Sequence, residues 1–221
     1  MRLTRLLCAC LLLAALSGCG EPPAPTARLQ DEIQAAVKTV AGIPQDGITL
    51  GALDAPATLT VYASLDDLNL GFLRNDLPRI IEQWVRPGRL RIQLRTTSQV
   101  LLGAPSDRGA VVAAGLAHAV GLQDRLWQFY LALSTRYIGF IDDALLDQAL
   151  SDVRVDPARI RKEAESARIR DAIARGEEYA REAKVSMLPY YVLETPGRAL
   201  RRVNGSCFGC LEKDLAGNLT R

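Results

Sequence analysis

The segment Met187-Leu188-Pro189-Tyr190-Tyr191-Val192-Leu193 decides the fold, because it predicts a buried strand that begins at a proline. A second strand is expected over Arg198 to Val203, and the two form a hairpin across Glu194 to Gly197. Asn204-Gly205 then turns the chain into a last helix, which is predicted to start near Ser206. The C-terminal part is therefore a strand–strand–helix unit.

A strand–helix–strand unit is predicted upstream. Thr58 to Ala63 (TLTVYA) is rich in β-branched and aromatic residues, which favour a buried strand. Asp66 and Asp67 are N-cap candidates for a helix from about Leu68 to Trp84. Leu90 to Arg95 alternates between apolar and polar residues and predicts the next strand.

A helical block separates the two units, over about residues 104–184. Its predicted helices cover Ser106 to Val120, Gln123 to Leu133, Ile141 to Leu150 and Pro157 to Lys184. An amphipathic helix over Ala27 to Val40 and a short strand over Ile48 to Gly51 precede the first unit. The fold class is α/β, with the order βαβ, inserted helices, ββα.

Three segments resemble DsbA-like thioredoxin-fold proteins. They are Leu50 to Leu59 (LGALDAPATL), Leu77-Pro78 late in the first core helix, and the run from Val185 to Leu193 that enters a proline before a strand. The resemblance covers about residues 45–215, and the family also carries helices inserted between the two halves. It implies a thioredoxin-like fold and an ancestry in thiol–disulfide exchange.

The redox motif of that family is missing from its usual place. Counted back from Leu77-Pro78, the family's CxxC positions fall on Asp67-Leu68-Asn69-Leu70, so aspartate replaces the nucleophile and Leu70 the resolving cysteine. No thiol chemistry can occur there. Asp67 is interpreted as an N-cap, which contributes about 1 kcal/mol, with an acid/base role as the alternative. The resemblance also makes Pro189 a cis-proline bordering a substrate groove, with Leu188 in the groove wall.

A second cysteine pair, Cys207-Phe208-Gly209-Cys210, stands near the C-terminus. Ser206 as N-cap would put Cys207 at the first helical position, where the helix dipole lowers a thiol pKa. In a thioredoxin core the last helix starts from the sheet edge that holds the usual redox site. We therefore expect this pair beside the old site, about 10 Å from the first core strand, with Cys207 as attacking thiol and Cys210 as resolving thiol.

Other interpretations of the pair remain open. Cys207 and Cys210 could form a structural disulfide, although a loop this short constrains the unfolded chain little. Two thiolates are also half of a zinc site, which only a dimer could complete. Haem attachment is excluded because Leu211 stands where the motif needs histidine. No metal or cofactor is expected, and His118, the single histidine, is interpreted as a packed helix residue.

The N-terminus predicts an export signal over residues 1–18. Two arginines precede an apolar run, Leu6 to Leu16, that is shorter than the roughly 20 residues of a membrane span. Leu16-Ser17-Gly18-Cys19 resembles the lipobox of bacterial lipoproteins, which implies lipidation at Cys19. The alternative is an ordinary signal peptide with a chance cysteine.

Residues 19–27 form a Pro-rich tether, and residues 28–221 form the thioredoxin-like domain with its insertion at about 104–184. Gly20 after the lipidated residue favours the outer membrane over the inner one by the same resemblance. A lipid-anchored domain facing the periplasm of the cell envelope is expected, where a cysteine pair can stay oxidised.

Composition limits the partners. The net charge is +2 and aromatic residues make up 5%, so neither a basic field nor stacking platforms for nucleic acid are present. The expected partners are extracytoplasmic protein or peptide thiols, with the membrane contacted through the lipid anchor. The oligomeric state is left open.

Overall fold

The structure is a computed structural model that describes residues 25–64, 72–97, 108–137, 141–203, 205 and 209–219. Its centre is a mixed sheet of six strands in the order β1-β2-β4-β3-β5-β6. The strands are β1 Gln45–Asp46, β2 Thr49–Leu50, β3 Ala57–Ala63, β4 Leu90–Thr96, β5 Tyr190–Glu194 and β6 Arg201–Val203.

Strand pairing gives the predicted thioredoxin core. β3 runs parallel to β4 and antiparallel to β5, and β5 pairs antiparallel with β6. β6 is therefore parallel to β3 and lies two strands away from it. The α/β fold class and the order βαβ…ββα are confirmed. β1 was not predicted: it forms a small hairpin with β2 through Gly47, whose φ of 56° suits such a turn.

The first core helix, α2, is described over Phe72–Val85. It is π-helical over Phe72–Asp76, α-helical over Leu77–Ile80 and π-helical again over Ile81–Val85. Pro78 has no N–H to donate and crowds the preceding turn, which accounts for the widened turn ahead of it. Phe72, Leu77 and Ile80 are fully buried against the sheet.

The remaining helices are α1 Pro25–Lys38, α3 Arg108–Gly121, α4 Leu126–Arg136, α5 Asp143–Asp152, α6 Pro157–Ala164, α7 Ala167–Glu182 and α8 Cys210–Leu219. Five of these, α3 to α7, are inserted between β4 and β5. α4 lies inside the block, and every residue from Leu126 to Ser134 is buried.

Two helix boundaries correct the sequence prediction. The single helix expected over Pro157 to Lys184 is two helices, because Ser166 caps α7 by accepting a hydrogen bond from the Ile169 N–H at 3.4 Å. The last helix begins at Cys210 and not near Ser206. Gly209, immediately before it, has a φ of 70°, a conformation that glycine adopts without strain.

Within the described residues, no helix has the length and apolar character needed to cross a bilayer.

Candidate functional site

The site is built at the sheet edge where β3 ends and β5 begins. Tyr62, next to the last residue of β3, pairs with Tyr190, the first residue of β5. The Leu188–Pro189 peptide bond directly before β5 is cis, as the resemblance implied. Both residues are half-buried, whereas Met187 is 59% exposed. Leu188 therefore stands between the exposed Met187 and the buried strand.

The segment that leads to α8 leaves from the same edge. Val203, the last residue of β6, pairs with Tyr191, so β6 ends beside the start of β5. Gly205 then passes over the Tyr191 ring so closely that a Cβ there would lie 2.1 Å from a ring carbon. On this face the Tyr191 ring packs against Phe72 of α2, with centroids 5.7 Å apart. Through the Tyr191 ring, these contacts connect Gly205 to Phe72 of α2.

Cys210 is disulfide-bonded and is the first residue of α8. The Lys213 N–H donates to the Gly209 carbonyl at 3.1 Å, which makes Gly209 the residue that caps the helix. Cys207 lies outside the described residues, so the expected Cys207–Cys210 pairing remains a prediction. The helical position that the sequence suggested for Cys207 belongs to Cys210. Any stabilisation of a thiolate by the dipole of α8 therefore acts first on Cys210.

Asp76 is a site residue that the sequence interpretation missed. Its side chain is buried, and its Oδ1 accepts a hydrogen bond from the Gly209 N–H at 3.2 Å. Burial raises the pKa of Asp76 above its ordinary value; the Gly209 hydrogen bond lowers this pKa, Glu212 raises it, and Arg79 lowers it. A carboxylate of α2 thus bonds to the residue that directly precedes the disulfide-bonded Cys210 in the chain.

A helical pattern could have indicated Asp76. Phe72, Leu73, Leu77 and Ile80 are buried residues of the same helix, and their spacing puts Asp76 among them. A carboxylate on the apolar face of a helix requires a partner. The sequence does not say which one, because Gly209 lies 133 residues further along the chain.

A second pair of contacts fixes α8 to α2 one turn further on. Arg79 Nη1 donates to Glu212 Oε2 at 3.2 Å, and Gln83 Nε2 donates to Glu212 Oε1 at 2.8 Å. Asp76, Arg79 and Gln83 recur at helical spacing, so one stripe of α2 contacts the first turn of α8. The Cys210 turn is therefore held by polar contacts on two successive levels.

Other predicted site residues are separate from this cluster or outside the described chain. Asp67 and Leu70, at the replaced redox motif, and Cys19 lie outside the described residues. His118 is in α3, where burial and the charges of Arg95 and Arg175 lower its pKa. This setting fits the packed helix residue that was expected.

Comparisons with known proteins give structural neighbours only. No protein-family model matches the sequence, and a comparison with curated proteins gives no match either. Among solved structures, oxidised BdbD from Bacillus subtilis has a TM-score of 0.64 at 14% identity, covering 82% of this chain and 98% of that one. A thioredoxin-like oxidoreductase from Silicibacter pomeroyi has a TM-score of 0.61 at 15% identity, covering 83% and 96%. The α-DsbA1 protein of Wolbachia pipientis has a TM-score of 0.60 at 18% identity, covering 84% and 94%.

These neighbours establish the fold. They cover nearly the whole of their own chains, so the similarity includes the helical insertion as well as the sheet. The chain therefore has a DsbA-like thioredoxin fold. Identities this low carry no chemistry across, and the activity of this chain has to be argued from its own residues.

Proposed function

We propose that this chain is an extracytoplasmic thiol–disulfide exchange protein whose redox pair is Cys207 and Cys210, displaced from the first core helix to the last. The observation that carries the proposal is Cys210 itself: it is disulfide-bonded and begins α8 next to α2, at the sheet edge that also holds cis-Pro189. The solved neighbours include proteins described as thiol–disulfide exchange proteins and oxidoreductases, which is consistent with the proposal.

The exchange balances without a cofactor. The reduced Cys207 thiolate attacks a sulfur of a substrate disulfide, forms a mixed disulfide and releases one substrate thiolate, which takes a proton from water. Cys210 then loses its proton and attacks the Cys207 sulfur, which closes the Cys207–Cys210 bond and releases the second substrate thiol. The substrate gains two electrons and the pair loses two. In the opposite direction the protein oxidises a substrate dithiol.

Leu188 and Pro189 are proposed to line the groove that receives the substrate chain. They lie immediately before β5, which is the second strand counted from β6 in the sheet. The neighbouring Met187 exposes apolar surface. An extended protein or peptide segment could contact this edge while its sulfur reaches the pair. Asp67 and Leu70, at the usual motif, would then contribute shape and charge but no sulfur.

Trapping tests the proposal directly. Cys210→Ser leaves the attacking thiol without its resolving partner, so a mixed disulfide with substrate should accumulate and disappear on reduction. Cys207→Ser is the matched control and should trap nothing. The unaltered chain should reduce insulin, and this activity should fall to background in both variants. If the unaltered chain shows no turnover and Cys210→Ser captures no partner, the exchange function is wrong.

A second function is a non-catalytic binding or scaffold protein with a structural Cys207–Cys210 disulfide. The polar contacts of Asp76 and Glu212 on the first turn of α8 favour it, because they hold that turn in place. A reduction potential below about −300 mV together with no insulin turnover would support this alternative. Partner binding that survives replacement of both cysteines by serine would support it further.

Lipid anchoring at Cys19 and attachment to the outer membrane, facing the periplasm, complete the proposal. The Leu16-Ser17-Gly18-Cys19 segment supports it, and acyl chains anchor a protein because each buried CH₂ contributes about 0.8 kcal/mol. Cys19→Ala should abolish incorporation of labelled palmitate and release the protein from the membrane fraction. Labelling that persists in this variant would contradict the anchor.

A further inference from the structure

The start of α8 raises the question of which of the two cysteines attacks the substrate disulfide and which resolves the mixed disulfide. Cys210 occupies the first helical position, where unsatisfied N–H groups and the helix dipole favour a thiolate. By that argument alone Cys210 would be the more reactive sulfur. The proposed exchange needs the reverse, with Cys210 kept as a thiol until a mixed disulfide has formed on Cys207.

Asp76 changes this balance by its position. Its Oδ1 accepts the Gly209 N–H at 3.2 Å, so one of the free donors of the α8 N-terminus is already bound to a carboxylate. That carboxylate is buried and bonds to the residue directly before Cys210, so water screens its charge poorly. A negative charge in this place opposes a second negative charge on the Cys210 sulfur.

We propose that Asp76 is the positioning residue of the redox pair: its carboxylate caps α8 and keeps Cys210 protonated, so that Cys207 is the attacking thiol. The role of Asp76 in choosing the attacking thiol rests on the proposed function, but its effect on the Cys210 pKa does not. The electrostatic coupling of Asp76 to Cys210 is a property of the folded chain and can be measured without any substrate.

Among the described residues, the charges near the first turn of α8 point to Asp76 as the group that acts on Cys210. Glu212 on α8 is paired with Arg79, which offsets its charge, and it also accepts from Gln83. Arg74, on the helix of Asp76, donates to the Ser134 carbonyl of α4 at 2.5 Å, which directs it away from α8. Tyr191 of β5 contributes a neutral ring on the sheet side. Lys213 is the one cation that the first turn of α8 itself contributes.

The pH dependence of the Cys210 thiol tests the inference. In a Cys207→Ser chain, Asp76→Asn removes the charge and keeps an oxygen that can accept the Gly209 N–H. The Cys210 pKa, followed by thiolate absorbance, should fall by about one unit. Alkylation of Cys210 by iodoacetamide near neutral pH should speed up about threefold, because the tenfold gain in thiolate is partly cancelled by its lower nucleophilicity.

Glu212→Gln in the same background is the matched control, since it removes a carboxylate from the same turn of α8 whose charge is already paired. It should shift the Cys210 pKa by much less than Asp76→Asn does. Asp76→Glu should restore a raised Cys210 pKa. Equal shifts from Asp76→Asn and Glu212→Gln, or none from Asp76→Asn in a chain folded by circular dichroism, would overturn the inference.

A second measurement needs no substitution at Asp76. In the Cys207→Ser chain labelled with ¹³C at aspartate carboxyl groups, the Asp76 resonance should shift as Cys210 titrates. An Asp76 chemical shift that does not change while the Cys210 thiol titrates would also overturn the inference. If the coupling is found but Cys210→Ser traps no partner, the inference stands and the exchange function fails.

Discussion

The two helices α4 and α8 are held in the molecule by different forces. α4 is buried on all sides from Leu126 to Ser134, and Trp127, Phe129 and Tyr130 are among its fully buried side chains. Each such side chain contributes about 1.5–3 kcal/mol by leaving water. Hydrophobic burial of this kind does not depend on the ionisation of any side chain.

α8 buries much less. Leu211 and Leu215 are its two buried residues, and its first turn is fixed by the hydrogen bonds and the ion pair that α2 supplies. Such contacts contribute about 1 kcal/mol each and respond to the ionisation of their partners. The comparison suggests that the insertion provides rigidity, whereas the cysteine-bearing helix is attached by groups that can transmit a change in charge.

The largest effect is expected in α4. Phe129→Ala removes a fully buried ring and should lower the free energy of unfolding by about 3–5 kcal/mol, because the packed block cannot close the cavity. Urea denaturation followed by circular dichroism measures it. Phe129→Leu, which keeps most of the volume, is the control and should cost clearly less. A loss below about 1 kcal/mol for Phe129→Ala would mean that α4 is not the rigid part of the molecule.

The next effect concerns the approach to α8. Gly205→Ala places a Cβ against the buried Tyr191 ring and should destabilise the protein by about 1–3 kcal/mol as ring and backbone separate. Gly217→Ala is the matched control: it lies in α8 with open space around it, so it should stabilise the helix by up to about 1 kcal/mol. Thermal unfolding of both variants decides this. If Gly205→Ala behaved like Gly217→Ala, the contact between this segment and β5 would be absent.

The sequence was sufficient for the parts of the fold that depend on local pattern. The alternation of Leu90 to Arg95 predicted β4, and the β-branched run from Thr58 predicted β3, because both match the period of a strand buried on one or both faces. It failed where a single residue decides. α6 ends at Ala164 and Ser166 caps α7 two residues later, within a pattern that remains amphipathic throughout.

The candidate site also contains features that the sequence predicted and features that it did not. Pro189 follows from the family resemblance, and topology placed α8 at the same edge of the sheet as the cis-proline strand. The start of α8 at Cys210 did not follow, because Ser206 is a good N-cap on paper, whereas the positive φ of Gly209 shows only in the structure. Asp76 was missed because its partner is distant in the chain and is a backbone N–H, which has no sequence signature.

The charge of Asp76 predicts a pH dependence for the attachment of α8. Its pKa is raised in the folded state, mainly by burial, so its contribution favours folding below the unfolded pKa of about 3.8. That contribution is lost as pH rises through the folded-state pKa. Asp76→Asn should therefore gain stability relative to the unaltered chain over this rise, in the oxidised form of both.

Urea midpoints of the two chains, compared from acid to neutral pH, measure this difference. Glu212→Gln serves as control, because it removes a carboxylate from the same contact between α2 and α8 and leaves Asp76 in place. A constant difference between Asp76→Asn and the unaltered chain at every pH would contradict the raised pKa.

The smallest effect is expected from the Arg79–Glu212 pair. The Arg79 side chain is 52% exposed and that of Glu212 20% exposed, so solvent screens the pair and a double-mutant cycle with Arg79→Met and Glu212→Gln should give about 0.2–1 kcal/mol. The coupling should shrink in high salt, unlike the loss caused by Phe129→Ala. A coupling above about 2 kcal/mol that is insensitive to salt would mean that the pair is effectively desolvated. The contrast between a helix held by burial and one held by charge would then disappear, since α8 would be fixed as firmly as α4.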